Sequence, residues 1–145
     1  MTPAPCEVSA GCGLRHDHLY TAIDLFTALP DLAPHDLALC APSLIELYTG
    51  VYGSPNPRTA ERNLKHFLRA VSIIPLNQRV IHAAARLRAD LALRKLPIRH
   101  RAYDLIAAAT ALEYELIVVS SNTRGYQDVP GLRQIDPRTG QLSDR

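Results

Sequence analysis

The sequence predicts an α/β fold: a mostly parallel sheet with helices packed on its faces. Three observations carry this reading. Short apolar runs at Leu37–Ala41, Ser72–Leu76 and Leu116–Val119 have the length and residue types of buried strands. Between them lie segments whose apolar residues recur every three or four positions, as on one face of a helix. Alternating strands and helices favour parallel pairing, because a helix is the usual way to return the chain to the edge where it started.

Taken in order, residues 1–18 lack periodicity and read as an irregular N-terminal arm. From Leu19 to Leu29, the residues Tyr20, Ile23, Phe26 and Ala28 fall near helical spacing until Pro30 stops the pattern. Leu37–Ala41 is the first expected strand, and Ser43 opens a helix to about Gly50. Gly53-Ser54-Pro55-Asn56-Pro57 is a loop by its turn chemistry, followed by a polar amphipathic helix from Arg58 to about Ala70. After the Ser72–Leu76 strand, the longest helix runs from Asn77 to about Leu96. It carries Val80, Ala84, Leu87 and Leu91 on one face and arginines opposite, and Pro97 ends it. A further helix over about Arg101–Glu115 leads into Leu116–Val119, and Leu132–Ile135 is a last strand before a polar tail at 138–145. The expected domain is therefore 19–137.

A chain of 145 residues, 47% hydrophobic and 21% charged, suits one soluble domain with a single sizeable core. No run approaches the ~18 apolar residues of a membrane helix, and Met1–Gly13 is small, polar and proline-bearing rather than a signal peptide. The expected location is the cytoplasm. Three cysteines without an export signal argue against a disulfide framework, and Cys40 lies in an apolar run where thiols are usually buried and inert. Cys6, Cys12, His16 and His18 superficially resemble a zinc site. Their Cys-x5-Cys and His-x-His spacings match no common finger, so a zinc-binding interaction module is the most distant reading and a disordered arm is preferred. Net charge is only +2, but Arg94, Lys95, Arg99, His100 and Arg101 crowd one stretch. That stretch suits a phosphate backbone, and it equally suits a solvated helix end and loop.

Three places hold residues fit for chemistry. Glu46 follows a strand near the start of a helix, where open α/β sheets place binding crevices. Ser43-x-x-Glu46 is also a capping box, in which Glu46 would only bond backbone amides. Asp104 is the only acid in the alanine-rich helix before its last residues; a helix dipole would favour it there without any ligand. Asn122, just after the Leu116–Val119 strand, offers a carbonyl oxygen to a hard cation or a cap to a turn. In a parallel sheet these positions converge on one edge, so Glu46, Asp104 and Asn122 are expected to meet. Gathered carboxylates bind Mg²⁺ or Mn²⁺, which polarise phosphoryl groups and activate water; phosphodiester hydrolysis is the chemistry that follows.

The order and spacing of several motifs resemble the PIN-domain family of the VapC toxin type. They are Leu44-Ile45-Glu46-Leu47-Tyr48-Thr49-Gly50, Arg101-Ala102-Tyr103-Asp104 with Ala108-Ala109-Thr110-Ala111-Leu112, Leu116 to Asn122, and Val129-Pro130-Gly131-Leu132. The match in register spans roughly 37–135. The resemblance implies a PIN-like three-layer fold and an endoribonuclease, the toxin of a toxin–antitoxin pair, that cuts RNA with Mg²⁺ or Mn²⁺. Glu46 and Asp104 would hold the metal, and Asn122 would occupy the family's fourth catalytic position. Arg94, Lys95, Arg99 and Arg101 would hold RNA. A VapB-like antitoxin would dock on the helices at Leu44–Gly50 and Arg58–Ala70, with Tyr48, Leu64 and Phe67 as anchors, and a homodimer would form through neighbouring surfaces.

The sequence departs from the family pattern twice. The opening strand ending in aspartate is not visible: its aspartate should fall near Gly11, within Ser9-Ala10-Gly11-Cys12-Gly13, and Glu7 and Asp17 are the nearest acids. The aspartate often found three residues after Asn122 is Gly125, with Asp128 out of register. Two missing carboxylates imply impaired cutting, better supported by Mn²⁺ than by Mg²⁺. The alternative is a catalytically inactive PIN remnant that binds antitoxin or RNA.

Overall fold

The computed structural model describes residues 6–8 and 33–144. It contains strands β1 (Cys6–Val8), β2 (Leu37–Cys40), β3 (Ser72–Ile74), β4 (Ile117–Val119), β5 (Arg133–Asp136) and β6 (Gln141–Asp144). Its helices are α1 (Ala41–Tyr52), α2 (Pro57–Leu68), α3 (Gln78–Leu93) and α4 (Ala102–Glu113). They build one sheet of order β3-β2-β1-β4-β5-β6. All neighbours pair in parallel except β5 and β6, which are antiparallel. The three strands expected at the outset thus lie in one mostly parallel sheet, each slightly shorter than its apolar run.

Two elements differ from expectation. Cys6–Val8, expected within an irregular arm, is the central strand, with Glu7 opposite Ala38 on β2 and Val118 on β4. Three residues with a charge in the middle carry no strand pattern of their own; pairing on both sides supplies it. Gln141–Asp144, expected in the polar tail, pairs along β5 after a turn at Asp136–Gly140, where Gly140 adopts φ 67. One polar face suffices for an edge strand. The helix expected over 19–29 and the cysteine–histidine cluster at 6–18 lie outside the described residues, apart from the backbone of Cys6.

Side chains alternate across β2 into two cores. Leu37 and Leu39 join Leu47, Val51, Leu64 and Val71 under α1 and α2. Ala38 and Cys40 join Ala84, Leu87, Leu91 and the alanines of α4 under α3 and α4. The result is three layers, helices–sheet–helices. Ala107, Ala108, Ala109 and Ala111 are at most 1% exposed, so their small side chains let α4 approach the sheet and α3 closely. Cys40 is buried as a thiol, its sulfur 3.3 Å from the Ser43 hydroxyl.

Candidate metal centre

The strand order reverses at β1: β2 and β3 lie on one side of it and β4 and β5 on the other. Crevices form at the carboxyl ends of strands beside such a switch point. β2 delivers α1 there directly, α4 begins there before returning through β4, and the chain leaving β4 passes there again. Glu46, Asp104 and Asn122 are carried to this edge by those three segments.

Helix α1 starts earlier than its sequence suggests. Cys40 is the N-cap and Ala41-Pro42 occupy the first two helical positions, where proline's fixed φ and missing N–H cost nothing. Ser43 therefore sits inside the helix, and no side chain caps it. The capping-box reading of Ser43 and Glu46 fails. Glu46 is instead partly buried, and its Oε2 has no hydrogen-bond partner among the described residues. Burial, reinforced by the like charge of Asp104, raises its carboxyl from 4.5 to about 7. That repulsion places the two carboxylates within electrostatic reach of each other.

Asp104 occupies the first turn of α4 and is 8% exposed. Burial raises its carboxyl above the ordinary range, opposed by the Arg101 charge and a hydrogen bond from the Tyr126 hydroxyl. Asn122 turns its amide nitrogen to Asp104, Nδ2 lying 3.4 Å from Oδ2. Gly125 is tightly packed against both: a Cβ there would stand 2.7 Å from Asp104 Oδ2 and 2.7 Å from Asn122 Nδ2. Glycine at 125 is thus the residue that lets Asp104 sit where it does, besides being an absent carboxylate.

Two expected roles change. Arg101, expected to hold RNA, is 11% exposed and grips Asp128 through two bonds of 2.8 Å and 2.5 Å while donating to the Gly125 and Pro97 carbonyls. Its guanidinium is committed to fixing the 125–128 segment over α4 and is not open to a phosphate. Asp128 is correspondingly held below the ordinary carboxylate range by Arg101 and belongs to this clamp. Leu64, expected as a partner anchor, is 0% exposed in the core under α2. Phe67 packs partly buried against the same core, and Tyr48 is partly exposed and stacked on Tyr52. Arg94, Lys95 and Arg99 are exposed, with Arg94 3.4 Å from Asp90.

Sequence reading missed Tyr126 and the Arg101–Asp128 clamp. Both depend on contacts across more than 20 residues of chain, which no local pattern encodes.

The donor set suits a small hard cation. Both carboxyls are pushed towards protonation by burial, Glu46 also feels the charge of Asp104, and Glu46 Oε2 has no hydrogen-bond partner among the described residues. A divalent ion would cure all three conditions at once. Mg²⁺ commonly takes only one or two protein carboxylates and keeps water or phosphate elsewhere. Among the described residues no third histidine, cysteine or acid joins the pair.

A mostly parallel sheet covered by helices on both faces, with Glu46 and Asp104 carried to its switch point, defines a three-layer α/β domain. The sequence is more specific. The model described as PIN domain matches residues 14–132, and the chain belongs to that family. The match begins after β1. The chain is 29% identical over 94 residues to the tRNA(fMet)-specific endonuclease VapC of Salmonella typhimurium, covering 63% of this chain and 70% of that one. It is 28% identical over 103 residues to the protein of the same name from Shigella flexneri, covering 69% and 74%. Its VapC-type resemblance rests on these relatives. Among solved structures, FitAcB of Neisseria gonorrhoeae superposes with TM-score 0.73 at 20% identity, over 92% of this chain and 98% of that one. VapBC-1 of nontypeable Haemophilus influenzae gives 0.72 at 18%, over 92% and 98%. At such identities these structures speak for the fold alone.

Proposed function

We propose that the protein is a VapC-like endoribonuclease, hydrolysing RNA phosphodiester bonds with Mg²⁺ or Mn²⁺ held by Glu46 and Asp104. The observation that supports this is the partly buried Glu46, which feels the charge of Asp104 and whose Oε2 has no partner among the described residues. RNA is the substrate class in the names of both curated relatives. A bound divalent ion supplies charge for the scissile phosphate and lowers the pKa of water. The chain's own residues do the rest. Tyr126 and Asn122 fix the Asp104 carboxylate, and the Arg101–Asp128 clamp holds the segment carrying them. Exposed Arg94, Lys95 and Arg99 guide the phosphate backbone. With only two acids meeting among the described residues, cutting is weak and favours Mn²⁺. The test is cleavage by purified protein across metal concentrations beside Asp104→Ala. Metal-dependent cutting lost in the variant and in chelator supports the reading; absence of cutting at every Mn²⁺ concentration, or cutting that survives the substitution, refutes it.

The toxin works in the cytoplasm, held by a VapB-like antitoxin on the apolar face of α1, and pairs with a second copy through neighbouring surfaces. Ile45 and Tyr52 are 48% and 70% exposed beside Tyr48, giving the partner its anchors in place of Leu64. Co-expression with the adjacent small gene should give a complex that Ile45→Glu disrupts while the fold survives. A complex unaffected by that change places the antitoxin elsewhere.

A further inference from the structure

Helix α2 divides cleanly into two faces. Ala60, Leu64, Phe67 and Leu68 pack into the core. At about 100° per residue, Arg58, Arg62, Lys65 and Arg69 fall within about 60° of arc on the opposite side. All four are exposed, and with Glu61 and His66 they line an open groove of about 380 Å³. The four cations against the single acid Glu61 leave +3 between positions 58 and 69, in a chain whose whole net charge is +2. Every other part of the molecule taken together is therefore slightly acidic.

Lys65 and Arg69, at the C-terminal end, suit the helix dipole, but the first half of the pattern does not serve the helix. Arg58 stands in the first turn, where the dipole disfavours a cation, and no acid accompanies it there. Asn56 already caps the helix, accepting from Thr59 N at 3.2 Å. Arg58 and Arg62, and Lys65 and Arg69, are like charges four apart, which repel. Of the four cations, Lys65 alone forms an ion pair among the described residues, with Glu61 at 2.7 Å. A stripe whose like charges stand four apart, and whose first half works against the helix dipole, suits a polyanion.

We propose that this face of α2 binds the phosphate backbone of single-stranded RNA, as a second contact beside the catalytic edge. From Arg58 to Arg69 the helix rises about 17 Å, which spans about five phosphates at the spacing of a stacked strand and fewer in an extended one. The proposal rests on the ribonuclease reading for the choice of RNA, but its test does not depend on cutting.

The test measures binding of a labelled oligouridine of about a dozen nucleotides to the full chain by fluorescence anisotropy, in chelator, across about 50–200 mM salt. Arg58→Glu/Arg62→Glu should weaken binding by about tenfold or more and lower the salt slope by about 1.4, two contacts' worth for a single strand. Arg58→Gln/Arg62→Gln should lower the slope by the same amount, about 1.4, with a smaller loss of affinity, and unchanged circular dichroism shows that both pairs fold. Unchanged affinity and slope in both pairs overturn the proposal, whether or not the protein cuts RNA with metal. Polyglutamate of matching charge binding more tightly than the RNA assigns the face to an acidic protein segment and also overturns it. RNA binding that needs these arginines in a protein without nuclease activity upholds the surface and refutes only the enzymatic reading.

Discussion

Replacing Glu46 by glutamine should make the metal-free protein more stable. In the folded chain burial and Asp104 raise the Glu46 carboxyl from 4.5 to about 7. The folded state therefore keeps a proton that the unfolded chain releases between these values. Stability due to this group is present at low pH and falls as pH rises through the interval. The neutral amide of Glu46→Gln has no charge to bury, so its advantage is absent below the lower value and complete above the upper one. The full difference corresponds to at most about 3 kcal/mol. Glu46 is only partly buried, and solvent screening reduces this to about 1–2 kcal/mol, or about 3–6 °C in melting temperature. Urea unfolding in chelator, at about pH 4.5 and about pH 8, measures it. A glutamine variant no more stable than the wild type at the higher pH would show that the carboxylate is compensated by some group, and the metal-site reasoning would lose its foundation. Mn²⁺ should reverse the order by stabilising the wild type alone, the usual trade between function and stability.

Other substitutions probe the supporting residues. Asp128→Asn leaves Arg101 charged and largely buried without its partner, and should cost about 2–4 kcal/mol in urea unfolding at neutral pH. Because Arg101 holds Asp128 below the ordinary carboxylate range, that contribution is present above the ordinary value and disappears on acidification; equal loss in strong acid would contradict the assignment. Gly125→Ala drives a Cβ to 2.7 Å from Asp104 Oδ2, so it should destabilise by about 1–3 kcal/mol and weaken Mn²⁺ binding; calorimetry showing unaltered binding would mean the loop yields freely. Tyr126→Phe removes one hydrogen bond from Asp104, costing about 1 kcal/mol and lowering Mn²⁺ affinity severalfold with the fold intact; unchanged affinity would deny Tyr126 a positioning role.

The fold was largely legible because its strands are short continuous apolar runs and its helices have clear faces. Leu116–Val119 could hardly be anything but a buried strand, and α3 kept its four predicted inward residues, Val80, Ala84, Leu87 and Leu91. β1 was illegible because Cys6-Glu7-Val8 takes its conformation from β2 and β4 rather than from its own residues. Glu46, Asp104 and Asn122 could be proposed as a site because strand-end positions lie along one edge of a parallel sheet whatever the details. Which role each arginine plays was not legible. Arg101 and Arg99 look alike in sequence, and only the fold brings Asp128 to one of them. Leu64 was misjudged for a similar reason: periodicity shows that a helix has an apolar face, not whether core or partner covers it.

We propose above all that Glu46 and Asp104 together hold one divalent cation. Calorimetric titration of Mn²⁺ into the wild type, Glu46→Gln and Asp104→Asn, without RNA, tests it most directly. The wild type should show one saturable site, and each substitution should abolish it. Equal Mn²⁺ binding by all three proteins would contradict the claim.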